Sequence, residues 1–147
     1  MSEFNPTKQI VNSTEILEKD GSLPSFQDSH VISLNYKRGE FSPEFDGFDG
    51  PNIEASIEMT YHESPYILDI NFYQCSSIVM SYFNYDNVIE KVTFSIEERG
   101  FYADDVTPLP PYICVEIGTS KHTVFTSFKC FKIEVIGKRK IIEEVHD

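Results

Sequence analysis

Residues 23–40 read LPSFQDSHVISLNYKRGE, and their first half crowds an amide, a carboxylate and an imidazole together at Gln27, Asp28 and His30. Asp28 and His30 stand two residues apart and could share one face of a strand, which is how a small metal or acid–base site begins. A metal ion needs a third and fourth ligand. The other histidines, His62, His122 and His146, sit in unrelated places and form no H-E-x-x-H-like spacing. The plainer expectation is that Asp28 bonds the backbone of its own turn and His30 packs where a strand begins. Phe26, Asp28 and His30 are then a structural corner that sets the register of the first strand.

Other chemistries find less support. There is no G-x-S-x-G, no P-loop, no G-x-G-x-x-G and no cysteine with a suitably placed histidine. Glu97 and Glu98 point to opposite faces if their strand continues, and nothing selects any carboxylate pair as a glycosidase site. No catalytic residue, no metal and no cofactor is expected, and the chain is read as a non-enzyme.

The elements that must carry these residues are mostly strands. In NIEASIEMTYH, Ile53, Ala55, Ile57, Met59 and Tyr61 point one way and Glu54, Ser56, Glu58, Thr60 and His62 the other, the period of a strand with one wet face. Tyr66, Leu68, Ile70 and Phe72 alternate in the same way, as do Ile32, Leu34 and Tyr36. NVIEKVTFSIEE puts Val88, Val92, Phe94 and Ile96 on one side. YICVEIG is nearly all apolar and predicts a central, buried strand. KCFKIEVIGKRKII closes the chain as one strand with Phe131, Ile133 and Val135 inward. CSSIVMSYFN is ambiguous between strand and helical turn. GEFSPEFDGFDGP and GFYADDVTPLPP read as acidic loops, broken by glycine and proline. One short helix is expected first, capped by Asn12 with Glu15 three residues on, stapled by Val11 and Ile16 and stopped by Gly21. Without strand–helix–strand alternation a parallel sheet is not expected. The fold class is therefore mainly β (α+β): a curled antiparallel sheet or sandwich with one short N-terminal helix. Its 147 residues suit a single domain, 1–147, with 1–10 and 141–147 loosely ordered.

The charge limits the partners. The chain carries 24 acidic and 12 basic residues, a net charge of −12. No Lys or Arg occurs between Gly39 and Glu90, while Glu40, Glu44, Asp46, Asp49, Glu54, Glu58, Glu63, Asp69, Asp86 and Glu90 do. Such a surface repels nucleic acid and anionic membranes and attracts basic partners; the same charge also serves solubility alone. Cys75, Cys114 and Cys130 are odd in number and set in apolar sequence, which reads as buried reduced thiols. MSEFNPTKQIVN lacks the layout of a secretory signal, and no stretch approaches the roughly 20 apolar residues of a membrane helix. A soluble cytoplasmic protein is expected.

Glu54 and Glu58 share one strand face four residues apart, and the acidic loop from Glu40 to Asp49 leads into that strand. A solvated face is the ordinary fate of such a row. The functional reading is a recognition face for a cationic partner. EFDGFDG sets Phe45 and Phe48 among carboxylates, and aromatic anchors ringed by acids suit a hot spot. The candidate partner-binding residues are Glu44, Phe45, Asp46, Phe48, Asp49, Glu54 and Glu58.

PSFQDSHVISLNYKRG resembles the opening motif of bacterial immunity proteins of the immunity protein 50-like family, a Pro-Ser-Phe-His-Asp-like turn leading into a strand. FNYDNVIEKVTFSI is similar to their middle motif, and FTSFKCFKIEVIG to their closing strand, in the same order over Leu23 to Gly137. The chain departs at Gln27, where a His is commoner, and at the acidic loop from Glu40 to Gly50, which does not align. The resemblance implies a cytoplasmic antidote of a polymorphic or contact-dependent toxin system. Such a protein binds the cognate toxin domain and neutralises it by non-catalytic protein–protein interaction. The charge suits a basic-grooved nuclease as that toxin. No nucleic acid or membrane partner is expected, and the chain is expected to be a monomer or weak homodimer. The alternatives are a β-rich small-molecule-binding module using the aromatic interior, and a hydrolase of unrecognised type.

Overall fold

Alternation dictates the centre of the molecule. The computed structural model describes residues 3–43, 47–60, 64–80, 88–118 and 124–141, with the backbone alone for 40–42, 47–49, 124 and 125. Strand β5 (Asn52–Met59) and strand β6 (Tyr66–Tyr73) pair antiparallel, with Ile53 opposite Phe72 and Ile57 opposite Leu68. Every second residue of both strands is buried. Removing that apolar area from water is the main favourable term in folding.

The remaining strands, in chain order, are β1 (Ile10–Val11), β2 (Ser29–Lys37), β3 (Glu40–Ser42), β4 (Gly47–Asp49), β7 (Ser76–Met80), β8 (Val88–Ile89), β9 (Lys91–Glu97), β10 (Tyr112–Gly118), β11 (Val124–Cys130) and β12 (Lys132–Lys140). A six-stranded sheet runs β1-β12-β6-β5-β2-β8, a four-stranded sheet β7-β11-β10-β9, and β3 with β4 forms a separate hairpin. All pairings are antiparallel except β1 with β12, which is parallel. The architecture is a sandwich whose inner faces share one apolar cluster. Phe72 of the larger sheet meets Phe128 of the smaller edge to face, with ring centroids 4.8 Å apart.

The chain passes between the sheets at corners. β6 leads into β7, β8 into β9 and β11 into β12, each time changing sheet. Such strand-switching corners close a sandwich. They are tied by backbone bonds: Phe131 N–H to Tyr73 O at 3.1 Å, Cys75 N–H to Pro51 O at 2.6 Å and Glu90 N–H to Gly118 O at 2.9 Å.

Several sequence expectations give way to this arrangement. The expected helix after Asn12 is only a 3₁₀ turn, Ser13–Glu15. Asn12 is left-handed (φ 62°) and makes no cap; its Nδ2 donates instead to Val135 O at 3.3 Å. The α-helix is a single turn, α1 (Pro6–Gln9), capped by Asn5, whose Oδ1 accepts from Thr7 N–H. Around this turn Phe4 stacks on Phe94, and Ile10 is buried beside Ile133. Ile32 does not share a buried face with Leu34. A β-bulge between Val31 and Ser33 reverses the phase, so Val31 is buried and Ile32 is 50% exposed. Tyr36 is exposed too, at the strand end. NVIEKVTFSIEE is two strands in two sheets rather than one, and Ile89 is its buried residue. Phe131 is not an inward strand residue but the pivot of the β11–β12 corner, and Cys130 is buried in its stead. The first acidic loop contains the β3–β4 hairpin. Strand β10 is central as expected, with Ile113, Val115 and Ile117 buried, but Glu116 on its other face is exposed.

Thr126 lies fully buried in β11, and its hydroxyl has no hydrogen-bond partner among the described residues. An unsatisfied buried hydroxyl costs about 1–3 kcal/mol. Thr126→Val keeps the shape and removes that cost, so it should raise stability by about 1 kcal/mol. Urea unfolding followed by circular dichroism tests this; a less stable variant would mean that the hydroxyl is satisfied.

Candidate functional site

The opening corner is built from backbone bonds. Ser29 N–H donates to Phe26 O at 3.1 Å, closing a turn over Gln27 and Asp28. Asp28 is left-handed (φ 64°), a conformation that Asp tolerates better than most residues. Its N–H donates to Ile89 O at 2.8 Å, which ties the start of β2 to β8. This backbone bond, rather than a side-chain bond of Asp28, is what the structure shows holding the corner. Gln27 and Asp28 are exposed, Phe26 is buried, and His30 is half-buried opposite Glu58 on one side and Val88 on the other. Buried Ser29 donates to Met59 Sδ at 3.2 Å. No group of three or more metal-ligating side chains occurs among the described residues.

The outer face of the six-stranded sheet holds the polar groups that converge. Ser33 and Asn35 of β2, Glu54 and Ser56 of β5, Asp69 and Asn71 of β6 and Ile136 of β12 line an open trough of about 270 Å³. The period of two puts one such group per strand per step on this face. Bulges shape the strands on either side: the one in β2, and another in β12 between Val135 and Gly137. The second turns Ile136 outward, 53% exposed.

Most carboxylates here are held by neighbours. Arg139 grips Asp69 with two bonds, Nε to Oδ2 at 2.7 Å and Nη2 to Oδ1 at 3.0 Å, and Ser56 Oγ donates to Oδ1 at 2.6 Å. The Arg139 bond, assisted by that of Ser56, holds the Asp69 carboxyl below its usual pKa against a smaller opposing effect of burial. Lys37 Nζ lies 3.0 Å from Glu54 Oε1. Tyr73 OH donates to Glu134 Oε1 at 2.7 Å, which with burial pushes the phenol pKa up. Glu58 has no ion pair among the described residues.

A pH dependence follows from Asp69. Its pKa is lower folded than unfolded, so its contribution is present above the ordinary Asp value of about 3.9 and is lost as pH falls through the lowered folded value. Asp69→Asn should therefore be less stable than wild type at pH 7, with the difference vanishing in acid. Urea unfolding at neutral pH and near pH 2 reads this; an undiminished gap in acid would remove the Arg139 pairing as its cause.

The outer face of the four-stranded sheet is different. Arg99 sits over the rings of Tyr112 and Phe131, 4.7 and 5.1 Å from their centroids, and Lys129 pairs with Glu97 at 2.6 Å. A second open hollow there is about 200 Å³ and includes Cys114. Burial pushes the Cys75 thiol pKa up to about 12 and Cys130 higher still, and burial with the nearby Glu97 raises Cys114.

Of the residues chosen from sequence, Glu54 and Glu58 lie on the outer face of β5, half-buried. Phe48 and Asp49 belong to β4, with backbone alone described. Glu44, Phe45 and Asp46 lie outside the described residues, as do His62, His122 and His146. The sequence reading missed Asp69, Asn71, Tyr73, Glu134 and Arg139. The signal available was Asp69 itself, an acid on the wet face of a strongly alternating strand. Its partner Arg139 is 70 positions away, and only sheet pairing joins them.

The fold is thus a two-sheet, mainly antiparallel sandwich with an open charged trough on its larger sheet. No known protein family matches the chain, nor does any curated protein or solved structure. No helix among the described residues is long and apolar enough to cross a membrane.

Proposed function

We propose that this protein is a bacterial immunity protein that acts in the cytoplasm, binding a cognate toxin domain and blocking it without catalysis. The observation that carries the reading is the carboxylate row on the outer face of the six-stranded sheet. Glu54 and Glu58 stand on β5, flanked by Asp69 on β6, with Glu134 beyond it on β12, in a chain of net charge −12. The reading also takes up the resemblance drawn from the sequence of residues 23–137 to immunity protein 50-like proteins, for which no family model gives a match.

The partner that suits this face is a toxin domain with a basic groove, such as a nuclease. Opposite charges steer encounter and raise association rates to on the order of 10⁸ M⁻¹ s⁻¹ at low salt. Arg139 and Lys37 already neutralise Asp69 and Glu54 in part, so Glu58, without an ion pair among the described residues, and Glu134, which accepts from a neutral phenol, are the carboxylates of this face most open to a basic groove. The alternative, a small-molecule-binding module, has weaker support. Ligand pockets are enclosed and mostly apolar, whereas the trough is open and lined chiefly by polar side chains.

The test is a titration against the catalytically inactivated product of the neighbouring gene, at low and high salt. Tight binding that weakens with salt is expected, and Glu54→Lys with Glu58→Lys should weaken it roughly 10- to 100-fold by placing like charges together. Tight binding indifferent to salt would keep the antidote and discard the acidic face. An absence of binding would overturn the immunity reading.

A further inference from the structure

The connection between β9 and β10, residues 98–111, does not follow the rule that large apolar side chains are withdrawn from water where the chain allows it. Phe101 is 59% exposed, Tyr102 49% and Val106 77%. Yet the backbone beneath them is extensively bonded. Tyr102 N–H donates to Thr107 O, Asp105 N–H to Tyr102 O and Leu109 N–H to Gly100 O, each at 2.9 Å. Phe101 and Pro108 form an antiparallel bridge. The Asp104 carboxylate accepts from Val106 N–H at 2.9 Å, Thr107 N–H at 2.8 Å and the Thr107 hydroxyl at 2.6 Å. At the base Arg99 lies against Tyr112 and Phe131 and donates to Pro110 O at 3.2 Å. The prolines at 108, 110 and 111 restrict the backbone further.

We infer that this loop is a preformed docking finger whose Phe101, Tyr102 and Val106 enter an apolar cleft of the toxin domain, a cleft rimmed by Lys or Arg. The inference rests on the immunity reading and adds a second contact surface to it, one built on apolar anchors rather than on the sheet's carboxylates. A loop already bonded in its working shape loses little freedom on binding. Aromatic anchors that fill a pocket supply most of the energy at interfaces. Charge selects the rim of the cleft. Residues 100–111 contain no Lys or Arg, and Asp104 and Asp105 stand in the exposed turn immediately before Val106. Basic groups around the cleft would meet those carboxylates, and acidic ones would be repelled.

The experiment uses the full chain and the same inactivated product of the neighbouring gene. Two variants are compared with wild type, Val106→Ser alone and Phe101→Ser with Tyr102→Ser and Val106→Ser. These side chains are exposed, so melting should be unchanged, and the single variant stands if the triple one melts early. The expected result is a loss of affinity of roughly 30-fold or more in the triple variant, with a smaller loss in the single one. That loss should persist at high salt, unlike the effect of reversing Glu54 and Glu58. Wild-type binding with every folded finger variant within about threefold of it would overturn the finger and leave the immunity reading intact. A wild-type protein that does not bind would overturn both.

Discussion

Replacing Phe72 with alanine should cost about 3–5 kcal/mol, the loss typical of a large buried aromatic. Phe72 is 3% exposed on β6, lies opposite Ile53 and Ile133 within its own sheet, and meets Phe128 of the other sheet edge to face. Its ring is therefore one of the direct links between the two layers. The cavity left by alanine would be walled by strands that cannot collapse into it without moving a sheet. Against a total stability of about 5–15 kcal/mol this is a large fraction. Urea unfolding followed by circular dichroism gives the loss, and the chain has no tryptophan to serve instead. A cycle with Phe128→Ala should show a coupling of about 0.5–1.5 kcal/mol for the ring pair. Additive losses would mean that the two rings do not act together across the sheets.

The second large effect is expected at Gly50, where the β3–β4 hairpin returns to the body of the sandwich. Its φ is +146°, and a β-carbon there would stand 2.7 Å from Arg38 O and 3.2 Å from Gly39 Cα. Both neighbours are backbone, so no side chain can swing aside. Gly50→Ala should cost about 1–3 kcal/mol from the unfavourable conformation, with the overlap adding to it. Gly100→Ala is the control. Gly100 also has a positive φ, +90°, but nothing lies within 4 Å of its added carbon, so it bears the conformational cost without the overlap. Equal melting shifts for the two variants would show that the close approach of Arg38 is not the constraint at Gly50.

The two substitutions differ in how far the sequence announces them. Phe72 is legible: Tyr66, Leu68, Ile70 and Phe72 alternate without a break, and the structure buries all of them. Gly50 is legible only as a turn residue, because its neighbour across the gap, Arg38, comes from the link between β2 and the hairpin. The corner at Phe131 was hidden for a related reason. An alternating run continues through it, and periodicity does not report a change of sheet. The bulge at Ile32 is hidden too, since one extra residue shifts the phase without altering composition. The helix expected after Asn12 failed because a capping pattern is local, while the Asn12 amide finds a better acceptor on β12.

The candidate site divides in the same way. Glu54 and Glu58 were readable from their spacing on β5. The clamp of Arg139 on Asp69, the Tyr73–Glu134 bond and the bulge that turns out Ile136 join residues distant in sequence or depend on which strand lies beside which. The connection at 98–111 was readable as a loop but not as a hydrogen-bonded one, because its bonds depend on backbone geometry that composition does not reveal.

By itself, then, the sequence determined the mainly β character, the alternating faces of β5 and β6 and the strong negative charge, all set by residues close together in the chain. Tertiary structure alone decided which sheet each strand joins, where the chain turns between sheets and which charges are clamped. Those depend on pairings between distant segments, and a pairing is settled by the fit of whole faces, which no local pattern encodes.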